Sequence, residues 1–77
     1  MKIVLLRGGE PYHEILAREL SFPPYYGANL DALHDCLTAI SADTAIILAD
    51  AADADARLLR VLRASAGENP RLRVYAG

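Results

Sequence analysis

Asp31 and Asp35 stand four residues apart in the run Leu30 to Thr38, "LDALHDCLT". On a helix that spacing stacks two carboxylates on one face, where like charges repel by roughly 0.2–0.5 kcal/mol. Such a pair can work as acid and base if an apolar pocket raises one pKa. The sequence offers no evident pocket, so a solvated face is the competing explanation. His34 and Cys36 flank Asp35 and are types that take part in nucleophilic catalysis. Adjacent residues on a helix point about 100 degrees apart, so His34, Asp35 and Cys36 cannot form a relay. His13 and His34 are the two histidines, and no CxxC or HExxH pattern accompanies them, so no metal centre is expected. Gly8-Gly9 follows an apolar run and is a conceivable phosphate cradle. The wider GxGxxG and GxxxxGK patterns are absent, however, and a plain strand-to-helix turn is expected there. No cofactor and no intrinsic hydrolytic or transfer activity are expected, because no nucleophile, base and oxyanion donors converge.

The charge is unevenly placed. Between Glu19 and Ala56 lie 7 of the 10 acidic residues and none of the 8 basic ones, although the net charge is only -2. An acidic flank repels nucleic acid and attracts basic partners. Uneven scatter by chance explains the same count about as well. A chain of 77 residues with 53% hydrophobic content suits one domain, residues 1–77, with a real but small core. Cys36 is the lone cysteine, which suits a reducing compartment. The apolar run before Arg7 is too short for a signal-peptide core, and no stretch reaches the roughly 18 apolar residues of a membrane span. The expectation is a soluble, cytoplasmic protein with neither a membrane nor a nucleic acid as partner.

The elements that must hold these residues follow from periodicity. "KIVLL" (Lys2 to Leu6) reads as a buried strand. Tyr12, Ile15, Leu16 and Leu20 recur at helix spacing behind Pro11, which suits a first turn. Pro23-Pro24 stop that helix, and Asn29 is a natural N-cap for the next one. On a wheel at roughly 100 degrees per residue, Leu30, Leu33, Leu37 and Ile40 share one side. Asp31, Asp35 and Thr38 lie opposite, with His34 between the two groups. Cys36 sits at the edge of the apolar stripe and is expected in the core. "TAIILAD" (Thr44 to Asp50) is a second strand, and "AADADA" a loop or ragged helix start. A third helix buries Leu58, Leu59, Val61 and Leu62, turns Arg57, Arg60 and Arg63 outward, and ends at Gly67. "LRVYAG" is the last strand, with Leu72 and Val74 facing away from Arg73 and Tyr75. Strands separated by helices give a small α/β domain, a three-stranded parallel sheet with helices packed on it.

The stretch "ELSFPPYYGANLDALHDCLTAI" closely resembles the signature of the barstar family, intracellular inhibitors of barnase-type ribonucleases. The proline entry, Tyr25-Tyr26-Gly27, Asn29 to Leu33 and Asp35 to Leu37 carry the likeness over about 22 residues. The resemblance implies a barstar-like fold and a binding protein, not an enzyme. It implies that the second helix and preceding loop plug the active site of a basic ribonuclease, of extracellular or toxin type, with acidic groups in place of RNA phosphates. Tyr25, Gly27, Asn29, Leu30, Asp31 and Asp35 match family contact positions, and Asp35 matches the carboxylate that enters the phosphate site. His34 stands where the family has a contact tryptophan. A glutamate contact on the last helix falls near Ala64 and is absent. With Thr38 from the wheel, the candidate partner-binding set is Tyr25, Gly27, Asn29, Leu30, Asp31, His34, Asp35 and Thr38. Two other classes stay open: a binding module of the same fold with a partner other than a ribonuclease, and a small enzyme built on the Gly8-Gly9 turn.

Overall fold

The structure, a computed structural model, describes residues 1–77. Strands β1 (Lys2–Arg7), β2 (Thr44–Ala49) and β3 (Leu72–Ala76) pair in parallel in the order β1-β2-β3. Helices α1 (Tyr12–Glu19) and α2 (Leu30–Thr38) lie between β1 and β2, and α3 (Ala56–Glu68) lies between β2 and β3. This is the three-stranded parallel sheet with packed helices that the alternation of patterns predicts.

Both crossovers step across the sheet in the same direction. Right-handed connections then bring every helix to one face, and burial follows that geometry. Val4, Leu6, Ile46, Leu48 and Leu72 are buried with Leu16, Leu33, Leu37, Leu58 and Leu62 in one core cluster. The other sheet face is open. Leu5, Ile47 and Tyr75 are adjacent across it in register, and Ile3 and Leu5 are 59% and 54% exposed. The expectation of a buried β1 is therefore half wrong. Its unbroken aliphatic run reflects strand preference for bulky side chains, and the alternate residues lack a second helical layer to cover them.

Helix α3 also departs from its expected bounds. It runs through Gly67 to Glu68 and stops at Asn69, which is extended (φ -124, ψ 106). The following Pro70 explains this, since proline disfavours helical geometry in the residue before it. The ragged "AADADA" segment is a single 3-10 turn, Ala51–Asp53. Asp55 then caps α3 by accepting from the Arg57 amide at 2.8 Å. Bonds from Arg57 hold the Asp55 carboxyl below the usual carboxylate range. On α3, Leu58, Leu62 and Ser65 are buried, whereas Leu59 and Val61 are only half-buried. Ser65 Oγ has no hydrogen-bond partner. An unpartnered buried hydroxyl is costly, and alanine is the better helix former. Ser65→Ala is expected to raise unfolding free energy by about 1 kcal/mol, read by urea denaturation. No gain would mean that the hydroxyl finds a partner in solution.

The Gly8-Gly9 turn is filled by the protein itself. A Cβ on Gly8 would lie 2.3 Å from the Asp50 carbonyl oxygen and 2.9 Å from Asp53 Cβ. Gly9 has φ +87, which favours glycine. Close approach of the β2–α3 connection accounts for Gly8 and the positive φ for Gly9, and the acidic neighbours Asp50 and Asp53 suit no phosphate. No helix is long and apolar enough to cross a membrane.

Candidate functional site

The loop from Ser21 to Ala28 enters α2 under tight backbone control. Pro23 and Pro24 restrict it, and Ser21 (φ 54) and Ala28 (φ 50) are both left-handed without being glycine. Such a residue costs roughly 1–2 kcal/mol and persists only when its surroundings hold it. At Ser21 the Phe22 amide donates back to the Ala17 carbonyl at 3.0 Å, closing the end of α1, and an aromatic cluster packs the loop beyond. Phe22 meets Tyr26 edge-on at 5.0 Å, and Tyr26 lies 5.7 Å from His13, which stacks near Tyr12 at 4.6 Å. Burial pushes the Tyr26 phenol up to about 12, with Cys36 and Tyr12 adding to the shift, and burial lowers the His13 pKa. The phenol therefore keeps its proton, and its oxygen lies 2.5 Å from His13 Nδ1 in a short hydrogen bond. Tyr26→Phe is expected to cost about 1 kcal/mol of stability.

The same contact gives a signed pH dependence. Folding lowers the His13 pKa, so the unfolded chain binds more protons as pH falls below about 6.5. The stability that neutral His13 confers is present above that pH and declines below it. His13→Gln is expected to flatten the wild-type loss of stability between pH 7.5 and 5.5, measured by thermal unfolding. An unchanged slope would exclude His13 as its source.

Helix α2 begins at Asn29, whose Oδ1 accepts from the Ala32 amide at 2.8 Å. Gly27 leaves room for that cap, since a Cβ there would sit 3.0 Å from Asn29 Nδ2. Leu30 packs against the core, and Leu33 and Leu37 are fully buried. The opposite face then has to project outward. Asp31 is exposed in the first turn, where the helix dipole favours it. The Asp35 side chain is 87% exposed one turn later. Thr38 Oγ1 donates to the carbonyls of His34 (2.9 Å) and Asp35 (3.1 Å). Its single proton is thus used internally, and its oxygen is left as an acceptor. Tyr25 stands 85% exposed beside this face.

Two residues outside the sequence-derived set shape the site. Asn69 is buried at the end of α3, and its amide donates to Leu37 O (3.0 Å) and Ile40 O (2.9 Å). Its Oδ1 accepts from the Arg71 amide at 3.0 Å. It satisfies carbonyls at the C-terminal end of α2, where no basic residue is present to do so. Glu68, one turn beyond Ala64, brings its Oε2 within 2.5 Å of His34 Nε2, while His34 Nδ1 lies 3.9 Å from Asp35. Asn69 follows Gly67 in sequence and reads as loop. Glu68 is recognisable only once the α2–α3 packing is known.

Cys36 is half-buried and not in the core cluster, contrary to expectation. It lines an open groove of about 600 Å³ between the end of α1, the Phe22–Tyr25 loop and the end of α2. Asp35 and Tyr25 border the same groove. Burial and the neighbouring Asp35 push the Cys36 thiol pKa up, which makes it a poor nucleophile. No group of three or more His, Cys, Asp or Glu side chains is placed to hold a metal ion.

Four of the ten acidic residues pair with a lysine or arginine; Glu10, Glu14 and Asp53, outside α2, do not, nor do the three at the α2 face. Glu19, Asp43, Asp50 and Asp55 each pair with a lysine or arginine. Asp31 pairs with none, and Asp35 and Glu68 have only His34. The helix face thus carries carboxylates that the chain leaves without basic partners.

Comparison with known proteins gives the family. The family model described as "Barstar (barnase inhibitor)" matches residues 6–69. A Bacillus subtilis (strain 168) protein named "Putative ribonuclease inhibitor YrdF" is 62% identical over 29 residues, 38% of this chain. The match spans 32% of that relative's length.

Proposed function

This chain belongs to the Barstar family, and on that premise we propose that it inhibits a ribonuclease by covering its active site with α2 and the preceding loop. The observation that carries the reading is the exposed acidic face of α2, where Asp31 and Asp35 stand one turn apart and neither has a lysine or arginine partner. A ribonuclease site must hold RNA phosphates, so it presents arginines and lysines. Asp35, mid-helix and solvated, meets such a cluster at the centre of the contact. Asp31 adds charge nearer the helix start. Tyr25 and Leu30 supply apolar surface beside them, and Gly27 and Asn29 fix the loop against the helix. The Thr38 oxygen accepts from a cationic donor, and His34 takes the central position between Asp35 and α3. The partner is a basic ribonuclease of extracellular or toxin type, and the free Cys36 suits action in the cytoplasm.

The test is inhibition of barnase, with rates of association followed across ionic strength. One-to-one inhibition is expected, with association slowing about tenfold or more from low to physiological salt and dissociation changing less. No inhibition, or an association rate flat across salt, would contradict the reading. A second reading, the same face on a basic protein other than a ribonuclease, is favoured by one feature: His34 replaces the aromatic contact expected of the family.

A further inference from the structure

The sheet has one covered face and one bare one. In register, the bare face shows Ile3, Ala45 and Arg73 in a row across β1, β2 and β3, then Leu5, Ile47 and Tyr75, then Arg7 and Ala49. Ile3, Leu5 and Tyr75 are more than half exposed, and Ile47 at the centre is 37% exposed. Parallel sheets are ordinarily covered on both faces, and their strands then read as continuous apolar runs. "KIVLL" in β1 and "TAIILA" in β2 have that composition, but the helices cover one side only. An apolar patch of a few hundred Å² is on the scale at which exposed surface marks an interaction site. The charges decide which partner fits. No acidic side chain lies on this face. Arg7 and Arg73 stand at diagonally opposite corners, and Arg7 is already paired with Asp50 at 3.6 Å. One free guanidinium is a poor match for an anionic membrane, which clusters of cations hold. The pattern does fit itself. A two-fold axis in the plane of two stacked sheets, along β2 or across it, sets Ile47 on its own counterpart. Each arginine then opposes Ile3 or the space past the end of β3, and never another arginine.

We propose that the bare sheet face is a self-association surface, on which a second copy of this chain packs face to face and supplies the missing apolar layer. The inference goes beyond the ribonuclease-inhibitor reading and does not depend on it. Area sets the strength of the contact. Even with the aliphatic stems of Arg7 and Arg73, each copy contributes less than the roughly 800 Å² per partner of a stable interface. The dimer is therefore weak and forms at high protein concentration. The helices lie on the outer sides of the pair, so both α2 faces stay free for a partner.

Sedimentation equilibrium and amide shifts of the isotope-labelled protein, followed from low micromolar to millimolar concentration, test this. The mass is expected to rise from monomer towards dimer. Concentration-dependent shifts should appear at Ile3, Leu5, Ile47 and Tyr75, and none at Asp31 and Asp35. Association should persist at high salt, because the contact is apolar. Ile47→Lys sets two like charges on the axis and is expected to weaken association at least tenfold. Leu5→Lys, on an edge strand where lysine is tolerated, should do the same, and it serves if the central-strand variant fails to fold. Asp35→Ala should associate as wild type does. A wild-type chain that stays monomeric at millimolar concentration would overturn the proposal. So would association that survives a folded lysine variant, vanishes at high salt, or shifts the α2 amides instead. Co-sedimentation of low-micromolar protein with phosphatidylglycerol vesicles would give the face to a membrane surface and overturn it as well.

Discussion

Asp35→Ala is expected to leave the free protein folded while weakening ribonuclease binding by on the order of 2 kcal/mol or more. The two halves of this result have separate causes. In the free chain the Asp35 side chain is 87% exposed and has no lysine or arginine to lose. Alanine is the better helix former and removes a like charge one turn from Asp31, so stability should hold or rise by a few tenths of a kcal/mol. In the proposed complex the carboxylate would be desolvated against arginines and lysines, and its removal would strand those charges. Asp31→Ala should cost less, being nearer the helix start and solvent. Unfolding of the free variants and titration against barnase give both numbers. If Asp35→Ala unfolds the protein, the residue is structural. If stability and inhibition are both unchanged, the binding face lies elsewhere.

Asn69→Ala is expected to destabilise the free protein by about 2–3 kcal/mol, through loss of three hydrogen bonds at a buried site. The Leu37 and Ile40 carbonyls lose their amide donor, and the Arg71 amide loses its acceptor. Chains of this size have total stabilities of roughly 4–12 kcal/mol, so the loss is a large share. In thermal unfolding it corresponds to about 10–20 °C. The loss should also reach function, since the last turn of α2 carries Asp35 and Thr38. Binding by the folded variant should weaken although Asn69 lies beneath the helix end. A melting temperature within two or three degrees of wild type would show that water replaces the amide at little cost.

The contrast between these residues marks what the sequence made legible. Asp35 was readable because a helix wheel needs only local spacing, and Leu33 and Leu37 fixed which side turned inward. The Asn29 cap and the proline stop were readable for the same reason. The open sheet face was not, because "KIVLL" has the composition of a strand covered on both sides. The direction in which both crossovers step decides that Ile3 and Leu5 face outward, and this is a property of the whole topology. Asn69 and Glu68 were missed because their partners lie 29 to 34 residues away on α2 and just beyond its end. Gly67 gave a misleading stop signal, since Pro70 sets the real boundary one residue later. Tyr26 read as part of an aromatic turn. Its role in holding that turn depends on His13, which the sequence shows only as an isolated histidine.

Whether α2 and its loop form the inhibitory face can be read by mapping the contact on this chain. Amide chemical shifts of the isotope-labelled protein would be recorded alone and with one equivalent of barnase, with ribonuclease activity assayed in the same sample. Activity is expected to be lost, with shift changes at Tyr25 to Thr38 and near Glu68. The open sheet face at Ile3, Leu5, Ile47 and Tyr75 should stay unperturbed. Activity lost with the shifts centred on that sheet face, or no shifts at one equivalent, would contradict α2 as the inhibitory face.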